Sequence, residues 1–287
     1  MNSIALTDIQ PIAIFDSGIG GLSVLREIQQ LLPNEPTLYL ADQANVPYGP
    51  RPLEEVRQFA VAITEFFLTH HAKIIVIACN TASAAALHYL RQRFPNIPFI
   101  GMEPAIKPAA EHTQSGVVGV LATPATFQGA LYASVLERFA QGVTVLQDTC
   151  PGLVNQIEAG ELDTPQTRKI LENALNPMLA AGIDTIVLGC THYPFVIPLI
   201  QQLAGAGVRV IDPAPAVAKQ VARILDQFQL RNQSGSITPY HYYLTSGNVA
   251  NFQNMLQRLG FESTNILPVS WQGKQLIFQS QINRKFP

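Results

Sequence analysis

Two cysteines in matching surroundings carry the most chemistry in this chain. Lys73-Ile74-Ile75-Val76-Ile77-Ala78-Cys79-Asn80-Thr81 aligns with Asp184-Thr185-Ile186-Val187-Leu188-Gly189-Cys190-Thr191-His192. In each, an apolar, β-branched run ends in a small residue and then a thiol, and residues that readily start a helix follow at once. A thiol at a strand-to-helix junction lies at the mouth of an α/β sheet, where ligands bind. Two such thiols in equivalent halves can face one carbon from opposite sides. That suits a reaction that takes a proton from one face and returns one to the other. Helix-terminal amides lower a thiol's pKa, which favours a thiolate base at Cys79. Taken alone, Cys79 reads first as a small buried hydrophobe; its twin Cys190 is what argues for chemistry.

Other segments have chemistry to offer. Phe15-Asp16-Ser17-Gly18-Ile19-Gly20-Gly21 follows a strand and precedes a helix. Its glycines let the backbone approach a ligand, and the helix start favours an anion. The spacing departs from G-x-G-x-x-G, and Asp16 would repel a pyrophosphate. The expected role is a loop holding a substrate carboxylate or amine with Asp16 in the site; a tight turn is the plain alternative. The run 45–52, Asn-Val-Pro-Tyr-Gly-Pro-Arg-Pro, is dense in turn formers and alone reads as a surface turn. His192 can assist Cys190, donate to a substrate carboxylate or cap a helix. A Cys nucleophile with a His base would make a hydrolase, but that leaves Cys79 unexplained. Metal ligation by Cys190 and His192 lacks further ligands nearby. Cys150 has no twin and reads as structural. Glu158 is ambiguous, because a carboxylate in Gln156-Ile157-Glu158-Ala159-Gly160 usually faces solvent.

These segments need a scaffold. Strands are expected at 12–15, 37–41, 73–78, 98–101, 117–122, 143–147, 184–189, 208–211 and 240–245. Helices are expected at 21–32, 53–71, 82–94, 126–139, 152–159, 165–181 and 216–228. Such alternation implies βαβ units and a mostly parallel sheet, an α/β fold. Residues 12–17 also align with 118–123, and 37–42 with 143–148, ahead of the two cysteine strands in the same order. This internal repeat predicts two pseudo-symmetric lobes, each a mostly parallel sheet flanked by helices. The first lobe, with Cys79, is expected at 1–102 plus 212–287, and the second, with Cys190, at 103–211. The stretch 230–236 reads as a flexible loop, and the segment after Phe252 has no legible role.

Composition narrows the class. With 287 residues, 47% hydrophobic and 13% charged, the chain can build one large core or two ordinary ones. Its net charge of -2 is not gathered into blocks, so neither nucleic acid nor a membrane surface is an expected partner. The amino terminus lacks the basic start and apolar run of a signal peptide, and no apolar stretch nears the ~18 residues that cross a bilayer. A cytoplasmic protein is expected. Three cysteines are too few for a disulfide framework and would stay free in a reducing cytosol. No Cys-x-x-Cys occurs, so no structural zinc is expected.

On five separated motifs the chain resembles the glutamate racemase family. They are Phe15-Asp16-Ser17-Gly18-x-Gly20-Gly21, Pro47-Tyr48-Gly49, Ala78-Cys79-Asn80-Thr81-Ala82-Ser83, Leu121-Ala122-Thr123 and Gly189-Cys190-Thr191-His192-Tyr193-Pro194. The likeness runs from Ile12 to the region of Phe252. It implies two α/β lobes with the active site in the cleft between them, a homodimer, and conversion of L-glutamate to D-glutamate for peptidoglycan without a cofactor or metal. It makes Cys79 and Cys190 the catalytic acid/bases, with Asp16 and His192 assisting and Glu158 a further helper near the histidine. Ser17, Tyr48, Gly49, Asn80, Thr81, Thr123 and Thr191, with Asp16 and His192, match substrate-contacting positions. An aspartate or other acidic amino-acid racemase of the same superfamily, and a non-catalytic ligand-binding relative, are the rival readings.

Overall fold

A computed structural model describes residues 6–232, 238–261 and 265–279. Its centre is strand β1 (Ile12–Asp16), every residue of which is buried. Ile12 and Ile14 enter one apolar cluster while Ala13 and Phe15 enter another. This is the two-step alternation of a strand covered on both faces, as parallel sheets require. Around it lie β2 (Thr37–Ala41), β3 (Ile74–Ile77) and β4 (Phe99–Gly101), in the order β2-β1-β3-β4 and all parallel. The second sheet repeats the pattern: β5 (Val117–Ala122), β6 (Thr144–Asp148), β7 (Thr185–Gly189) and β8 (Arg209–Ile211) run parallel in the order β6-β5-β7-β8. The aligned halves of the sequence therefore build sheets of the same strand order.

Helices α1 (Leu22–Leu31), α2 (Leu53–Thr69), α3 (Asn80–Arg93), α4 (Ile106–His112), α5 (Pro124–Gln128), α6 (Ala130–Phe139), α7 (Leu153–Glu158), α8 (Pro165–Ala180), α9 (Ile197–Ala204), α10 (Ala214–Gln227) and α11 (Val249–Arg258) flank the sheets. After the second sheet, α10 packs on α1 through Ala214, Val217, Ala218, Val221 and Leu225, one face at helical spacing. The chain then adds β9 (His241–Thr245) beside β2, β10 (Ile266–Gln272) beside β9, and β11 (Gln275–Phe278) antiparallel to β10.

Several expectations need correcting. The helix expected over 126–139 is two helices that break at Gly129, where a Cβ would lie 2.7 Å from Ala84 Cβ on α3. Thr123 caps α5 by accepting the Thr126 N–H at 3.3 Å, so the first of these helices starts earlier than expected. Helices α4, α9 and α11 and strands β10 and β11 were not expected. The loop read at 230–236 falls largely outside the described residues. Among the described residues, no helix is long and apolar enough to cross a membrane.

Candidate active site

The chemistry gathers at the carboxyl ends of parallel strands. Asp16 ends β1, Cys79 follows β3, Thr123 follows β5 and Cys190 follows β7. In both sheets the strand order reverses at the pair that carries the thiol, β1/β3 and β5/β7. A crevice opens at such a reversal, and α/β folds bind ligands there.

In the first lobe, Asp16 is fully buried. The N–H groups of Gly18 and Gly21 donate to its Oδ2 at 3.2 and 3.0 Å, and Thr191 Oγ1 donates to Oδ1 at 3.3 Å. The Ile19 N–H donates to Glu158 Oε1 at 2.7 Å. The expectation that this loop offers its backbone to a substrate anion is thus corrected at three amides, which the protein's own carboxylates already engage. The glycines serve close approach instead: a Cβ on Gly18 would collide with Glu158 Oε1, and one on Gly20 with His192 Nδ1.

Cys79 caps α3, its sulfur accepting the Ala82 N–H at 3.5 Å, and the Asp16 carboxyl lies near enough to act on its charge. Burial pushes this thiol well above its ordinary pKa, the Asp16 charge adds to the effect, and the Ala82 amide does not compensate. The expectation that the helix start favours a thiolate here is corrected: Cys79 rests as a thiol. Burial likewise raises the Asp16 carboxyl, against the opposing charge of His192.

The second thiol has a different escort. Cys190 Sγ lies 3.8 Å from His192 Nδ1, and His192 Nε2 lies 2.6 Å from Glu158 Oε1. Glu158 is no surface carboxylate, with 12% of its side chain exposed, because α7 turns it inward onto the imidazole. Burial opposes charge on the imidazole, but hydrogen bonds to Cys190 and Glu158 and the charges of Asp16 and Glu158 outweigh it, so His192 is held well above its ordinary pKa. Burial also pushes Glu158 up, yet the bond and charge of His192, with donors from Gln43 and Ile19, hold it below its ordinary value. Glu158 and His192 therefore form a carboxylate–imidazolium pair.

Both thiols line one small cavity of ≈ 10 Å³. Ser17, Tyr48, Gly49, Asn80, Thr81, Thr123, Thr191 and His192 line it too, so of the expected site residues only Asp16 and Glu158 stand one layer behind. Thr81 and Thr123 hydroxyls meet across the lobes at 2.8 Å. Gly49 approaches Thr123 so closely that a Cβ would lie 2.9 Å from the threonine Cβ. The side-chain amide of Asn80 is buried, and neither its nitrogen nor its oxygen has a partner in the protein. Folded proteins leave few such groups unpaired, and one in a cavity wall marks a place for a polar ligand. A larger cleft of ≈ 550 Å³, walled in part by Lys107, Arg138 and Asp212, contains neither thiol.

The profile of the Asp/Glu/Hydantoin racemase family matches residues 14–221. The chain belongs to this family. A curated relative named glutamate racemase, from Roseiflexus sp. (strain RS-1), is 52% identical over 250 residues, 87% of this chain and 92% of the relative. The solved glutamate racemase isoform RacE1 of Bacillus anthracis superposes with a TM-score of 0.82 at 34% identity, covering 93% of this chain and 98% of the other. Escherichia coli glutamate racemase, solved with L-glutamate, gives 0.80 at 32% identity, covering 92% and 100%. Like these racemases, the chain folds into two lobes.

Sequence reasoning missed five contributors. Val154 and Pro47 also line the cavity. Asp42 is fully buried and receives Tyr48 OH at 2.6 Å, Gln43 reaches Glu158 at 3.0 Å, and Trp271 reaches Asp42 at 2.7 Å. Asp42 stands just past β2 much as Asp16 ends β1, a repeated carboxylate that could have been noticed. Trp271 carried no such signal, because only the added strands bring it near.

Proposed function

We propose that this protein racemises glutamate without a cofactor, using Cys79 and Cys190 as paired acid/bases in a cleft between a lobe of 1–102 plus 212–287 and a lobe of 103–211. The observation that carries this reading is that one thiol from each sheet enters the same cavity, each backed by its own proton-handling partner. Glutamate is taken from the relatives, among them the Escherichia coli enzyme solved with L-glutamate. The family resemblance further supports a cytoplasmic homodimer that supplies D-glutamate for peptidoglycan.

In this mechanism the substrate Cα sits between the sulfurs. One cysteine, as thiolate, takes the α-proton, and the electron pair left on carbon delocalises into the adjacent carboxylate. The opposite thiol then gives its proton to the other face. The reverse reaction exchanges the roles. Two bases are required because a single base tends to return the proton to the face it left. At Cys79, Asp16 is placed to receive the thiol proton; at Cys190, the His192 imidazolium stabilises the thiolate and can return a proton to the sulfur, with Glu158 holding the ring. Such positioned groups contribute about 10²- to 10⁴-fold each, so aimed donors in a water-poor space must supply much of the rest. Asn80 and the hydroxyls of Ser17, Thr81, Thr123 and Thr191 line the cavity where those donors are needed.

The reading is tested by incubating purified protein with L-glutamate in heavy water, with no addition. Loss of optical rotation with deuterium entering the α-position is expected. Exchange on aspartate and none on glutamate would reassign the substrate, and binding without exchange on either would leave a ligand-binding relative.

A further inference from the structure

Glu158 is held from both lobes. Its Oε1 takes the Ile19 N–H at 2.7 Å and His192 Nε2 at 2.6 Å, while its Oε2 takes Gln43 Nε2 at 3.0 Å. The Gln43 amide is itself oriented by β9. The Gly247 N–H donates to Thr245 Oγ1 at 2.9 Å, which leaves the threonine hydroxyl hydrogen for Gln43 Oε1 at 2.9 Å. That choice turns the Gln43 NH₂ toward the carboxylate. Thr245 is fully buried, and Gly247 lies so close that a Cβ there would sit 2.7 Å from Gln43 Cβ. The chain of hydrogen bonds therefore runs in one sense, from the Gly247 amide through Thr245 and Gln43 into Glu158. Hydrogen bonds aligned in this way polarise one another. Among the described residues, Gln43 is the donor on Oε2, so without it the carboxylate can rotate and carry Oε1 away from the imidazole.

We propose that Gln43 is a positioning residue, which holds Glu158 and through it His192 in the orientation Cys190 uses; this rests on the racemase reading above. Gln43 touches neither sulfur and does not line the cavity, so its effect passes through the carboxylate. An N–H aimed at Oε2 favours the ionised carboxylate, and Gln43 contributes to holding Glu158 below its ordinary pKa. Removing that donor raises the Glu158 pKa, so the acid limb of the rate profile moves to higher pH.

The experiment compares wild type, Gln43→Leu, Glu158→Gln and the double variant on glutamate across pH, with KM and kcat separated. Gln43→Leu is expected to lower kcat roughly tenfold. KM should stay within about twofold, and the acid limb should move up. The same change in the Glu158→Gln background should cost little more, since the group it acts on is already altered. Unchanged kcat with an unshifted profile would overturn the proposal, as would an equal loss in both backgrounds or a loss confined to KM. Should Gln43→Leu fail to fold, Thr245→Val removes the hydroxyl that orients the amide. It should give a smaller loss with the same pH shift, and no change at all would count against the proposal. A wild-type protein that leaves glutamate unracemised would instead remove the reading on which the proposal stands.

Discussion

Cys79 and Cys190 occupy equivalent strand ends, but their partners differ in kind. Cys79 has near it a carboxyl that burial has raised, whereas Cys190 faces an imidazole whose far side is bound to a carboxylate. Two different escorts suit an enzyme that must deprotonate mirror-image substrates from either side with one thiol loaded at a time. The His192–Glu158 pair has a consequence for stability. Its imidazole has a folded pKa above the ordinary value of 6.5, so the stabilisation it brings is complete below about pH 6.5 and fades as pH rises through the folded value. Glu158 works in the opposite range: its folded pKa lies below 4.5, so its contribution is present above that value and is lost as pH falls through the folded one. Thermal melts of wild type and His192→Asn from about pH 5 to 9 should differ most at the acid end and converge toward the alkaline end. A gap that widened with pH would contradict the pairing.

At the scale of elements, the unexpected strands matter most. Trp271 on β10 donates to Asp42 Oδ1 at 2.7 Å, beside Ser246 Oγ from the end of β9, also at 2.7 Å. Asp42 Oδ2 receives Tyr48 OH at 2.6 Å and Asn45 Nδ2 at 2.9 Å. The indole also packs on Phe59, with ring centroids 5.4 Å apart, and Phe59 packs on Tyr48 at 5.5 Å. The segment with no legible role thus buttresses the loop that walls the cavity, although it lies outside residues 14–221 that match the family profile. Trp271→Phe keeps a ring against Phe59 but removes the N–H from a buried carboxylate. It should lower stability by about 1–2 kcal/mol and raise KM for glutamate, measured by urea titration and steady-state kinetics; no change in either would show the contact to be idle. Sequence could not reveal this strand, because Pro268 inside Ile266–Gln272 argues against a central strand. It did reveal β1, β3, β5 and β7, whose continuous apolar runs announce burial on both faces. The break at Gly129 escaped it; the glycine there leaves room for Ala84 on another helix, a contact local pattern does not encode.

In the whole molecule, the lobes meet through the site itself. Thr191 reaches Asp16, Ile19 and Gln43 reach Glu158, Ser23 Oγ reaches the Thr191 carbonyl at 3.2 Å, and Thr81 meets Thr123. The cavity beside these contacts, ≈ 10 Å³, is about the space of one water. The repeated strands showed in the sequence that two halves exist and that their thiols correspond. Which carboxylate serves which thiol depends on how the halves dock, and no local pattern carries that. Two bases working from opposite faces are the centre of the proposed mechanism. The most direct measurement is α-hydrogen exchange in heavy water on separate L- and D-glutamate, with Cys79→Ala and Cys190→Ala variants. Each variant should lose racemisation by at least roughly 100-fold, and any exchange that survives should be confined to one enantiomer, the opposite one in the two variants. Near-normal racemisation by either variant, or survival of the same enantiomer's exchange in both, would contradict it.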